Sequence, residues 1–200
     1  MPATDGAPLG ILGGVFDPVH EGHLAVAAAA RDFLGLERLL LVPSGTPPHK
    51  RSVTASARHR LAMLKAAVRS RPGLQIYDKE IRRRGYSYTV DTLRELSRIH
   101  PGRPLYFIVG SDNLREIETW YRYREILAMV TLCVTHRPRF RVAVPPALKG
   151  ARILLFPSPE SPASSTLVRK CLAKGESCRG LVAPAVASYI KRHGLYRLIK

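Results

Sequence analysis

Cysteine is scarce in this chain: Cys133, Cys171 and Cys178 are the only three in 200 residues. An odd number cannot all pair within one chain, and the spacing fits no metal-ligand pattern. Neither a disulfide scaffold nor a cysteine metal site is therefore expected, and a reducing, cytoplasmic setting is. Long apolar runs are also missing. The longest obvious one, Leu24 to Ala30, is far too short to span a bilayer, so no membrane partner is expected. Met1 to Pro8 has no basic stretch followed by an apolar one, so no signal peptide is expected there. Acidic residues are few: 15 Asp and Glu stand against 32 Lys and Arg, a net charge of +17. Such a field favours anionic partners, either nucleic acid or phosphate-rich small molecules. The basic residues are scattered, and the clearest run, Arg82-Arg83-Arg84, has only Tyr86 and Tyr88 as aromatic neighbours. Nucleic acid is accordingly the weaker expectation of the two.

What is present is an ordinary globular composition, 46% apolar, in a length that suits one domain with a real core. One domain over residues 1–200 is expected, with an ordered core from about 9 to 196. Apolar segments alternate with helical patterns. Strands are predicted at Leu9–Phe16, Arg38–Val42, Leu74–Asp78, Leu105–Val109, Val130–Thr135 and Arg152–Phe156. Helices are predicted at His23–Leu34, stopped by Gly35, then at Ala57–Ser70, Val90–Ile99, Trp120–Met129, Ser165–Ala173 and Pro184–His193. Arg137 to Gly150 reads as a surface loop. Such alternation implies an α/β fold: a Rossmann-like, doubly wound parallel sheet with helices at the C-terminal end of the chain. Ligands of such sheets sit beyond the carboxyl ends of the strands, so the informative residues should follow strands.

Directly after the first strand stands Gly13-Gly14-Val15-Phe16-Asp17-Pro18-Val19-His20-Glu21-Gly22-His23. The two glycines allow close approach of backbone to ligand. Pro18 keeps Asp17 out of the helical region and delays the helix. His20 and His23 then fall three apart at the helix start, on one face, with Gly22 keeping the entrance open. Free N–H groups, the positive end of the helix dipole and two imidazoles together make an anion site. Two nearby histidines can also be metal ligands or core residues. The agreement of Gly-Gly, Asp-Pro and helix start favours the functional reading. Near the other end, Ser164-Ser165-Thr166-Leu167-Val168-Arg169 opens another helix. Its hydroxyls can cap that helix or hold phosphate, and Arg169, one turn in, can clamp phosphate oxygens or simply lie at the surface.

The H-x-G-H string after a first strand resembles the nucleotidylyltransferases related to class I tRNA synthetases. The fuller G-G-x-F-D-P-x-H-x-G-H form is similar to the bacterial nicotinate-mononucleotide adenylyltransferases, and S-S-T-x-x-R to the superfamily's second signature. Four more stretches carry the resemblance: Pro47-Pro48-His49-Lys50, Ser87-Tyr88-Thr89-Val90-Asp91-Thr92-Leu93, Gly110-Ser111-Asp112-Asn113-Leu114, and Trp120-Tyr121. The closing stretches Leu181-Val182-Ala183-Pro184 and Tyr189-Ile190 extend it, so that it covers Gly13 to Tyr196. Three departures are seen: Val15 where Thr or Ser is common, Ser111 for Ala, and Ala163 for Ile.

The resemblance implies transfer of the adenylyl group of ATP to nicotinic acid mononucleotide, with Mg²⁺ accompanying ATP and no dedicated protein ligands for the metal. On the ATP side it implies Gly13, Gly14, Phe16, His20, Gly22, His23, Asp112 at the ribose, Ser165, Thr166 and Arg169. His20, His23 and Arg169 are the catalytic set. On the acceptor side it implies Asp17, Lys50 as a phosphate-binding cation, Thr89 at a helix start, Trp120 stacking on the pyridine ring, and Tyr121. Read without the resemblance, Lys50 is a surface lysine, Thr89 an N-cap, Asp112 a turn residue and Trp120 part of the core. Two alternatives stand: another H-x-G-H transferase acting on nicotinamide mononucleotide or pantetheine phosphate, and a basic nucleic-acid-binding module. Oligomeric state is left open.

Overall fold

The computed structural model describes residues 6–48, 53–136 and 143–197. Among these residues six parallel strands form one sheet: β1 (Leu9–Gly14), β2 (Leu39–Pro43), β3 (Leu74–Ile76), β4 (Leu105–Gly110), β5 (Val130–His136) and β6 (Ile153–Pro157). Their order is β3-β2-β1-β4-β5-β6. The chain thus winds outward from β1 to one edge, then returns to begin again at β4. The sequence-predicted doubly wound sheet is what forms. Its switch point lies between β1 and β4, where Gly10 pairs with Tyr106 and Leu12 with Ile108.

Every inner strand is buried on both faces, as parallel strands covered by helices must be. In β1, Leu12 joins one core while Leu9 and Ile11 join the other. β2 splits the same way, Leu39 and Leu41 against Leu40 and Val42. This period of two is set by the pleat. On one face pack α1 (Glu21–Leu34), α2 (Ala57–Val68) and α8 (Pro184–Arg192) through Leu24, Ala27, Met63, Leu64 and Ile190. On the other lie α4 (Thr89–Ile99) and α6 (Tyr123–Met129) through Leu93, Leu96 and Ile126. Gly10 leaves room for Leu36: a Cβ there would meet Leu36 Cδ1 at 2.5 Å and make that side chain shift. α1 ends as its sequence predicts, with Gly35 at φ 60° and its N–H returning to the carbonyls of Arg31 and Asp32. α7 (Ser165–Ala173) completes the site end of the molecule. No helix among the described residues is long and apolar enough to cross a membrane.

Three expectations need correction. Trp120 is not helical. It closes a 3₁₀ turn, Ile117–Thr119, and α6 starts only at Tyr123 because Arg122 adopts the left-handed conformation at φ 54°. Two short helices, α3 (Lys79–Arg82) and α5 (Ser111–Glu116), are too brief for a periodic pattern to announce them. Part of the expected loop at 137–150 lies outside the described residues. Of the remainder, Leu148 is not at the surface: it sits in a 3₁₀ turn and is 2% exposed in the second core.

Candidate active site

Two clefts open at the carboxyl ends of β1 and β4. The larger, about 1010 Å³, is lined by the turn after β1, the start of α1, Asp112, residues 158–163 and Arg169. The smaller, about 280 Å³, is lined by Thr89, Trp120, Tyr121, Glu80 and the loop after β2. Gly13, Gly14, Val15 and Asn113 line both. The β1 turn is therefore the wall between them.

The histidine pair sits where the sequence predicts. His20 is the N-cap of α1, in extended conformation at φ −140°, and its backbone N–H donates to His23 Nδ1 at 3.3 Å. The rings stack, centroids 3.7 Å apart and planes 30° from parallel, and Phe16 meets the His23 ring edge-on at 4.9 Å. Burial pulls the His20 imidazole down to a pKa of about 4, so it is neutral near pH 7. Its Nδ1 is buried without a hydrogen bond among the described residues. A neutral imidazole at a helix N-terminus is a hydrogen-bond donor with no charge of its own. Gly22 faces this ring: a Cβ there would stand 3.0 Å from His20 Nδ1 and 3.0 Å from the Ala163 carbonyl.

The second motif is joined to the first by direct hydrogen bonds. Ser164 caps α7, accepting from the Leu167 N–H at 3.1 Å. The Ser165 hydroxyl donates to the Pro18 carbonyl at 3.0 Å. Arg169 Nη1 donates to the Asp17 carbonyl at 2.6 Å, and Nη2 to Thr166 Oγ1 at 3.4 Å. The guanidinium is half-buried and lines the larger cleft with its other donors unspent on these bonds. Thus Gly13, Gly14, Phe16, His20, Gly22, His23, Asp112, Ser165 and Arg169 all line one cleft. Thr166 is exposed, one residue beyond it.

On the other side, Thr89, Trp120 and Tyr121 share the smaller cleft. Tyr88 caps α4, so Thr89 is its first residue rather than the cap, and its N–H belongs to the first turn that lacks intrahelical partners. Trp120 is half-buried, edge-on to Phe107 at 6.0 Å, and Tyr121 leans on Tyr88 at 4.7 Å. Lys50 lies outside the described residues.

Asp17 is the clear correction on this side. Its carboxylate accepts from the N–H groups of Thr54 at 2.7 Å and Ala55 at 3.0 Å and from the Tyr196 hydroxyl at 2.7 Å. It is 5% exposed and borders the larger cleft, not the smaller. These bonds tie the acid to the protein's own loops. Sequence reading also passed over four residues. Asn113, inside a quoted motif, lines both clefts. Glu80 is buried in the smaller one, accepting from the Thr92 hydroxyl at 2.6 Å, and burial holds its carboxyl above the usual range. Ser87 accepts from the Gly45 N–H at 3.1 Å. Arg60 is buried beneath the β1 turn. Glu80 and Arg60 carry no sequence signal, since their importance lies in where the fold buries them. Among the described residues no three His, Cys, Asp or Glu side chains group as a metal site.

The chain with this doubly wound sheet is cytidylyltransferase-like: that family's model matches residues 11–171. The finer comparison is with full-length relatives. A Bordetella pertussis protein named "probable nicotinate-nucleotide adenylyltransferase" is 42% identical over 197 residues, covering 94% of this chain and 98% of its own. One of the same name from Aeromonas hydrophila is 38% identical over 208 residues, covering 95% and 97%. The chain belongs to the nicotinate-nucleotide adenylyltransferase family. In fold it matches the solved Plasmodium falciparum nicotinic acid mononucleotide adenylyltransferase complexed with NaAD, with a TM-score of 0.80 at 22% identity over 96% of this chain and 98% of that one.

Proposed function

We infer that the protein transfers the adenylyl group of ATP to nicotinic acid mononucleotide, forming nicotinic acid adenine dinucleotide and pyrophosphate. The observation that carries this reading is the pair of clefts sharing the Gly13-Gly14-Val15 wall, one with imidazole and guanidinium donors, the other with Trp120 and first-turn amides. ATP occupies the larger and the mononucleotide the smaller, so that their phosphates meet across the β1 turn.

The mononucleotide's phosphate oxygen attacks the α-phosphorus of ATP. The new P–O bond forms as the bond from the α-phosphorus to the bridging oxygen breaks, and pyrophosphate leaves with that electron pair. A phosphate monoester has a second pKa of about 6, so the nucleophile is ionised at neutral pH and needs no general base. Rate enhancement comes from positioning and from meeting charge on the transferring group. His20 and His23 donate to the α-phosphate, and Arg169 to the leaving pyrophosphate. Mg²⁺ accompanying ATP would be held by phosphate oxygens and water rather than by a cluster of protein ligands, and would supply positive charge to the leaving pyrophosphate. The pyridine ring stacks on Trp120, and its carboxylate meets the N–H groups of Thr89 and Tyr121.

The test is a product assay of the purified protein with ATP, Mg²⁺ and each of nicotinic acid mononucleotide, nicotinamide mononucleotide and pantetheine phosphate. Dinucleotide and pyrophosphate from the first acceptor, in preference to the others, is the expected result. A folded protein with no turnover on any pyridine mononucleotide refutes the reading.

A further inference from the structure

Arg60 heads the fully buried side chains by size, at 1% exposure. It lies on α2, far from either phosphate motif in sequence. Its guanidinium donates from Nη1 to the Val15 carbonyl at 2.6 Å and from Nη2 to the Gly45 carbonyl at 2.9 Å, while Nε has no partner among the described residues. Burial works against its charge, and the nearby Asp17 carboxylate supports it. A buried cation is unfavourable unless paired, and an apolar side chain would fill the same space more easily. What distinguishes it from an apolar side chain is the pair of carbonyls that it holds.

Val15 belongs to the wall shared by both clefts, and Gly45 to the loop after β2 whose Ser44, Pro47 and Pro48 line the smaller one. Gly45 has no slack on its other side, since a Cβ there would stand 2.2 Å from the Glu80 carbonyl. One guanidinium thus spans the ATP-side turn and the acceptor-side loop. It also sets a peptide plane. The cis bond in this turn is Asp17–Pro18, so Val15–Phe16 is trans. In a trans peptide the carbonyl and the following N–H point in opposite directions. With the Val15 carbonyl turned inward to Arg60, the Phe16 N–H turns outward, to the cleft that Val15 and Phe16 line. Phe16 itself is held at φ 51°, a left-handed conformation that a phenylalanine avoids unless its surroundings impose it.

We propose that Arg60 is a positioning residue for adenylyl transfer: by holding the Val15 and Gly45 carbonyls it aims the Phe16 N–H at the phosphoryl group passing between the clefts and fixes the spacing of the two substrates' walls. This rests on the function proposed above. Arg60→Lys keeps the charge but loses the planar fork that holds the two carbonyls from separate nitrogens, and Arg60→Met keeps bulk alone. Both are compared with wild type in kcat, in KM for each substrate and in melting temperature. The expected result is a folded Lys variant whose kcat falls at least about tenfold with KM for ATP within a few-fold, and a Met variant lower still. A lower melting temperature with unchanged kcat per folded molecule overturns the proposal. Should neither variant fold, the wild-type Phe16 amide is followed by ¹⁵N NMR on addition of α,β-methylene ATP. It should shift and become protected from exchange, and an unmoved resonance overturns the proposal equally. Wild-type protein that makes no product defeats the functional reading instead, whereas turnover indifferent to Arg60→Lys defeats only this one.

Discussion

His20 and His23 lie face to face with ring centroids 3.7 Å apart, and burial keeps His20 neutral near pH 7 by drawing its pKa down to about 4. A base whose pKa falls on folding, here from 6.5, takes up its proton more readily when unfolded. Acid therefore favours unfolding. The stability due to neutral His20 is complete above pH 6.5 and is lost as pH falls toward about 4. Its full size is roughly 3 kcal/mol. Urea denaturation of wild type and His20→Asn at pH 7 and at pH 4.5 should show the variant losing less stability on acidification. Parallel losses in the two proteins would remove His20 from the account.

Replacing either histidine by alanine should lower kcat by about two to three orders of magnitude, since in the proposed mechanism each donates to the transferring phosphate. Gly22→Ala is the subtler probe. Its methyl group meets the His20 ring and the Ala163 carbonyl, both at 3.0 Å, and must push the imidazole aside. The variant should remain folded and lose at least about tenfold in kcat, the range expected for a misplaced catalytic group. Steady-state kinetics settle both, and near-wild-type kcat in all three variants would make the histidines structural.

Asp17→Asn separates a loop clamp from an acceptor ligand. Three donors converge on this carboxylate, so an amide must point its own N–H₂ at one of them. The cost should be about 1.5–3 kcal/mol, the range for hydrogen bonds to a charged group. A depressed melting temperature with KM for the mononucleotide nearly unchanged is expected. The reverse pattern would return Asp17 to the acceptor.

The acid mononucleotide should be preferred to the amide by at least about tenfold in kcat/KM, or about 1.4 kcal/mol. Backbone N–H groups at Thr89 and Tyr121 suit a carboxylate, and leave a carboxamide's own N–H₂ unpaired. Trp120→Ala should depress use of both acceptors alike, because stacking ignores the substituent. Equal efficiency of wild type on the two acceptors would show a dual-specificity enzyme on this frame.

The sheet was legible because its strands are short apolar runs bounded by glycine, proline and polar turns, and the larger cleft because much of its lining comes from two short motifs, each at a helix start. His20 and His23 need one helix start, and Arg169 another. What escaped depends on contacts across the chain. Asp17 looks like a ligand residue until Thr54, Ala55 and Tyr196 are seen to converge on it. Arg60 looks like one more helical arginine in a basic chain until the fold buries it. Trp120 falls in a helical pattern, and only the left-handed turn at Arg122 delays the helix past it.

The Tyr196 hydroxyl reaches back across 179 positions to the Asp17 carboxylate. That bond ties the turn after β1 to the segment that follows α8, so the turn is held from the far end of the fold. Loosening the segment after α8 would therefore release a wall of the larger cleft that lies far from it in sequence.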